Sequence, residues 1–129
     1  MQGAISLPPL VVIRGSVAAV WIYEGLWCKL LGGVPSQVDV VTAVPRLASF
    51  AKPFLKVLGL AEIALAVWVM TGIAPGLCAI SQTCFLILLN ANGLIWARHL
   101  IREPAGMVIK NVAFLMLVWV CGASAGGRL

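Results

Sequence analysis

Apolar residues fill four long runs of this chain, about 10–31, 54–71, 75–97 and 106–122, and polar residues gather in the gaps between them. Each run is near the roughly 20 residues a helix needs to cross the hydrocarbon core of a bilayer. The last is short, and tilt or its glycine-rich ends would adjust the fit. Prolines stand where such helices would begin, with Pro8 and Pro9 before the first run, Pro53 before the second, Pro75 opening the third and Pro104 opening the fourth. Proline suits a helix start because its missing N–H has no partner there anyway.

The connections are unequal. The second and third runs are joined by the tight TGIAPG of 71–76, and the third and fourth by RHLIREPAG of 98–106. A longer piece follows the first run. Within it Ser36 can cap a short helix, with Asp39 three residues on in place of the usual Glu or Gln. Val40, Val41, Val44, Leu47 and Phe50 then form an apolar stripe, with Arg46 and Lys52 on the polar side. The pattern predicts an interfacial helix over about 36–50, kinked or split at Pro45. The expected fold is therefore all-α, a single membrane domain over 1–129: a four-transmembrane-helix bundle with a short interfacial helix between helices one and two.

Composition sharpens this. Hydrophobic residues make up 62% of the chain and charged ones 10%, with a mean hydropathy of +1.07. A soluble domain of this length would need more charge to cover its surface. The net charge of +5 collects at the ends of the apolar runs, so it speaks of membrane topology and not of nucleic acid. Lys29, Arg46, Lys52, Lys56, Arg98, Arg102 and Lys110 fall on one side, and Arg14 and Arg128 on the other. That bias predicts cytoplasmic basic loops and both termini outside, in a bacterial inner membrane. The opening MQGAISLPPL has no basic n-region, so the first run is expected to stay as a helix.

The stretch WIYEGLWCKLLG, 21–32, places a carboxylate inside the first apolar run. Glu24 lies about 10 Å in from the basic end, at 1.5 Å per residue. Glu62 lies about 12 Å in from the same end of the second run. Asn90 and Asn92 sit at similar depth in the third run, and Lys110 and Asn111 a turn into the fourth. All four helices thus bring polar groups to one layer. A carboxylate in hydrocarbon costs at least about 2.5–3.5 kcal/mol, so it normally faces the bundle interior and a partner. Lys110 is the natural cation for it, with Lys29 and Lys56 reaching from further off. Asn90 and Asn92 point about 200° apart, so one of them faces in. Three readings stand side by side: a clamp that fixes helix register, a ligand or quinone-headgroup site, and a proton-transfer site. A second layer pairs Arg14 with Gln82 near the other end.

The remaining candidates are thinner. Cys28, Cys78, Cys84 and Cys121 have no C-x-x-C or ligand spacing, and read as small core residues. Cys78 and Cys121 share one end, where a disulfide would suit an oxidising compartment. His99 is the lone histidine and cannot supply a pair of axial haem ligands. Trp27 suits an aromatic belt, Trp21 and Tyr23 bundle packing. With His99 these three are also the residues that could border a pigment or quinone. No metal motif, phosphate loop or catalytic triad is present, so enzyme activity is an open question and no catalytic residue is assigned. Gly72-x-x-x-Gly76 and Gly122-x-x-x-Gly126 lie at helix ends, where they are weak packing signals.

Three stretches carry a family likeness: Tyr-Glu-Gly-Leu-Trp-x-Lys at 23–29, Gly-Leu-x-Glu at 59–62, and Pro-x-Gly…Lys-Asn from 104 to 111. The chain resembles the DoxX-like family of small four-helix membrane proteins over about 11–120. The resemblance implies a four-helix bundle and draws attention to Glu24, Glu62 and Asn111. It also implies a link to quinol oxidase or to thiosulfate and thiol redox. The absence of a paired-cysteine motif weighs against thiol chemistry, and the lack of haem ligands against a catalytic oxidase subunit. The function expected is that of an accessory subunit of a respiratory or photosynthetic electron-transfer complex, bordering a quinone, a chlorophyll-type pigment or lipid. The alternatives are an autonomous quinone-linked redox protein and a small proton-coupled transporter. The partners implied are membrane lipids and other membrane subunits or further copies of the chain, with no nucleic acid.

Overall fold

A computed structural model describes residues 6–34, 36–101 and 103–125. Among these residues there are five α-helices and no strand: α1 (Leu10–Ile22), α2 (Ser36–Thr42), α3 (Ala51–Thr71), α4 (Pro75–Trp96) and α5 (Pro104–Ala125). Four spans are long and apolar enough to cross a membrane: Leu10–Leu30, Ala48–Thr71, Pro75–Trp96 and Pro104–Ser124. They form an up-and-down bundle. The connections after the first and third spans lie at one end, here the basic end. The α3–α4 turn and the outer ends of α1 and α5 lie at the other, the terminal end.

The helices are apolar nearly all round, which for a surface helix of a water-soluble domain would be untenable. Val11, Leu60, Val67, Ile87, Leu88, Ile95 and Ile109 all stand exposed, where lipid tails would cover them. The core is small by comparison. Ile13, Val17, Ala18 and Trp21 of α1 meet Leu65, Ala66 and Val69 of α3, Cys78, Ala79 and Leu86 of α4, and Val118 and Cys121 of α5. The spacing of three and four residues puts each set on one helix face. Trp21 anchors this core edge-on to Phe85 and Phe114, with ring centroids 5.7 and 5.6 Å away.

The first span is not one regular α-helix. After Ile22 it continues as a π-helix over Tyr23–Leu30, so the α-helical reading of 10–31 needs correction. The amide of Leu31 bonds the carbonyl of Leu26, five residues back, at 2.8 Å. The segment ends at Gly32, whose φ of +66° is the left-handed conformation that glycine adopts freely.

Other boundaries shift by a turn or less. α3 starts at Ala51 and takes Pro53 into its first turn, where a missing N–H breaks no helical bond. α5 starts at Pro104 and runs to Ala125. The expected interfacial helix of 36–50 is split. α2 ends at Thr42, a turn carries Pro45, and a 3-10 turn over Ala48–Phe50 leads into α3. Val41 of α2 packs on Ala51 and Leu55 with Val38, Leu47 and Phe54 around them, a second small core at the basic end. The Ser36 side chain, Arg102, Gly126 and Arg128 lie outside the described residues.

Candidate functional site

Glycines bring the first span and α3 into backbone contact. A Cβ added to Gly25 would lie 2.6 Å from the carbonyl oxygen of Gly59, and one added to Gly59 would lie 2.8 Å from that of Gly25. No larger residue fits either position. One turn from this contact, the Lys29 ammonium meets the Glu62 carboxylate at 2.5 Å. Both groups are buried, Glu62 being 1% exposed and Lys29 8%. Apart from that ammonium, Oε1 of Glu62 has no donor among the described residues.

Side-chain direction explains why Lys29 and not Lys110 takes this role. Helical side chains lean toward the helix N-terminus. The first span ends at the basic end, so Lys29 near its C-terminus leans inward. Its Cβ lies at the level of Gly59, and its Nζ a turn deeper at Glu62. Lys56 and Lys110 lie near the N-termini of α3 and α5, so they lean out of the bundle. Both are exposed.

Glu24 faces a different space. It is half-buried and lines a cleft of about 440 Å³ with Ile101, Glu103, Gly106, Met107, Lys110 and Asn111. The volume falls within the roughly 300–1,000 Å³ of small-molecule sites. The cleft wall is braced from behind. Asn111 donates to Asn90 Oδ1 at 2.6 Å, and Asn90 donates to the Leu86 carbonyl at 2.7 Å. Asn90 is thus the amide that faces α5. Asn92 turns back on its own helix, donating to Leu88 O at 2.9 Å. The expected polar layer therefore divides into a sealed ion pair, Lys29–Glu62, and an open cleft built on Glu24, Lys110 and Asn111.

At the terminal end Arg14 and Gln82 do not pair. Gln82 accepts from Trp21 Nε1 at 2.7 Å and donates to the Cys78 carbonyl at 3.3 Å. Burial of the Trp21 indole makes that acceptor necessary. The Arg14 guanidinium instead rests on Gly72. His99 is exposed at the basic end; Trp27 is 50% exposed, and Tyr23, at 55%, faces outward and does not pack within the bundle as expected. Trp27 lies against Gly33. Trp21 is core and not a platform for a ligand. All four cysteines are free. Among the described residues no group of three His, Cys, Asp or Glu could hold a metal ion.

Two features escaped the sequence reading. Glu103 lines the cleft although it belongs to a loop. The Gly25–Gly59 contact was hidden because no small-x-x-x-small motif marks it. A signal was present: in each of two antiparallel spans a glycine precedes an oppositely charged residue by about one turn, Gly25 with Lys29 and Gly59 with Glu62.

A family model described as the DoxX-like family matches residues 18–119, most of the chain. The chain belongs to the DoxX-like family. The match takes in the π-helix, the Gly25–Gly59 contact, the ion pair and the whole cleft. A search of curated proteins and of solved structures gave no match.

Proposed function

We propose that this DoxX-like protein is a small subunit of a membrane electron-transfer assembly that holds a quinone or quinol headgroup in the cleft beside Glu24. The observation that carries this is the cleft itself, which opens at the basic end and gathers two acids, Glu24 and Glu103, an amide and an ammonium within one small-molecule volume. Lys110 makes no ion pair among the described residues, so its charge is available to a ligand. Asn111, fixed by Asn90, can donate its second amide hydrogen to a ring carbonyl. Glu24 can accept a hydrogen bond from a ring hydroxyl, or exchange its proton.

A bound quinone would supply a carrier for two electrons and two protons. The electrons come from a partner. This chain's residues orient the ring and move a proton at the Glu24 carboxylate. The subunit role is supported by α5, of whose span only 11% is buried, against 28–33% in the other three. The charge bias supports a bacterial inner membrane with the cleft on the cytoplasmic side.

Purification in a mild detergent, followed by extraction and assay of bound quinone, tests the reading. Glu24→Gln and Asn111→Leu should each lower quinone occupancy by about 10- to 100-fold, the equivalent of a lost hydrogen bond to a charged group. Unchanged occupancy in both variants removes the quinone site. Mass spectrometry of the same peak tests the subunit role, which fails if the chain elutes alone.

A further inference from the structure

The terminal end carries an unmatched charge. Arg14 lies one turn into α1, and its guanidinium rests on Gly72, the first residue past α3. Gly72 has φ of +70°, and a Cβ there would overlap the guanidinium. Nε of Arg14 is buried and has no partner. Ser124 Oγ of α5 is also buried without one. Cys121 lines the same small void as Gly72 and lies one helical turn from Ser124, so Ser124 belongs to the side of α5 turned toward Gly72 and Arg14.

Among the described residues no carboxylate answers this charge. The chain has four acids. Glu62 is paired with Lys29. Glu24 and Glu103 line the cleft at the basic end, and Asp39 lies on α2 at that same end. The C-terminal end of α3 offers roughly half a negative charge, which offsets only part of a full cation. An intramembrane arginine ordinarily has a partner, and none stands beside Arg14 among the described residues.

We infer that Arg14 and Ser124 form a binding site for a phosphate-type oxyanion at the terminal end of the bundle. The guanidinium fork matches a phosphate through two parallel hydrogen bonds. Arg14 leans toward the N-terminus of α1 and is only half-buried, so its outer nitrogens face the level of lipid headgroups. The void beneath Gly72, about 20 Å³ and lined also by Cys78, Gln82, Cys121 and Gly122, has room for about one water. The anion therefore sits at the rim above it. Arg14 and Ser124 lie at the opposite end of the bundle from the cleft and outside the 18–119 stretch matched to the family, so the site is independent of the cleft. The phosphate can belong to a lipid headgroup or be free in solution.

Native mass spectrometry of the purified chain in a neutral detergent distinguishes these sources, with phosphatidylglycerol and inorganic phosphate as separate probes. One retained phosphatidylglycerol, lost at least about ten-fold in Arg14→Gln and kept in Lys52→Gln and Lys56→Gln, identifies a headgroup site. A rise in thermal midpoint with inorganic phosphate, absent in Arg14→Gln, identifies a free-anion site. Arg14→Lys keeps the charge without the fork, and Ser124→Ala keeps the core; each should weaken binding several-fold, which holds the test open should Arg14→Gln fail to fold. Binding of neither probe to the unaltered protein, or undiminished binding in all three Arg14 and Ser124 variants, overturns the site.

Discussion

The two ends of the bundle solve the same problem by different means. Each must join helices in a medium without water, and each uses polar groups buried between them. Toward the terminal end the paired groups are neutral: Trp21 bonds Gln82 at 2.7 Å within a core of aliphatic and aromatic side chains, and Trp119 bonds Thr83 at 3.0 Å at the bundle surface. At the basic end a neutral amide pair, Asn111 to Asn90 at 2.6 Å, is joined by a charged one, Lys29 and Glu62 sealed together beside an open cleft that Glu24 lines. Neutral hydrogen bonds would have clamped the helices there at less desolvation cost. The charged pair therefore carries a desolvation cost that the neutral pairs do not. The π-helix belongs to the same end, and single π segments recur at functional sites.

The largest expected effect comes from breaking the ion pair on one side. Lys29→Met leaves Glu62 buried with no cation and should cost about 3–5 kcal/mol, the range for removing one partner of a buried pair. Lys29→Met with Glu62→Met together should recover most of that loss. A double-mutant cycle on unfolding in detergent measures both. A single-variant loss under about 1 kcal/mol would place the pair with exposed ion pairs and erase the contrast between the two ends.

Next is the glycine contact. Gly25→Ala drives a methyl to within 2.6 Å of the Gly59 carbonyl, and a backbone oxygen cannot swing aside as a side chain can. The first span must then move from α3, at a cost of about 1–3 kcal/mol. The same displacement separates Lys29 from Glu62, so Gly25→Ala and Lys29→Met should be clearly non-additive. Strict additivity in thermal unfolding would show that the glycine contact and the ion pair act separately.

How far the sequence foretold this varies with the kind of signal. The spans were legible because hydropathy is a sum over some twenty positions, and prolines marked their starts. The depth of Glu24, Glu62, Asn90 and Asn111 was legible because rise per residue is fixed. Azimuth was not. Asn90 faces α5 and Asn92 does not, which depends on how α4 is rotated against its neighbours. The choice of Lys29 over Lys110 was readable in principle from the lean of helical side chains. Distance along the chain alone favours Lys110; the direction of the side chain decides for Lys29. The π-helix was hidden, since one interior glycine in YEGLWCKL weakens an α-helix but does not specify a π-helix; the segment coincides with the Gly25–Gly59 contact. Arg14 and Gln82 share a level but not a face, because the buried Trp21 indole claims the glutamine.

The smaller effects belong to the terminal end and sharpen the contrast from that side. Gln82→Met leaves the Trp21 indole N–H buried without an acceptor, a loss of about 1–3 kcal/mol. Thr83→Val should cost less, about 0.6 kcal/mol, the mean for hydrogen bonds between membrane helices. The two differ for a reason visible in burial. Trp21 is 2% exposed and Trp119 44%, so the second indole can turn to another acceptor at the surface of the bundle while the first has nowhere to go. The order Lys29→Met, Gln82→Met, Thr83→Val in unfolding free energy thus follows the cost of the group left behind, not the length of the bond removed. Were Thr83→Val to equal Lys29→Met, the bundle would be held alike at both ends, and the charged pair would lose its claim to any purpose beyond packing.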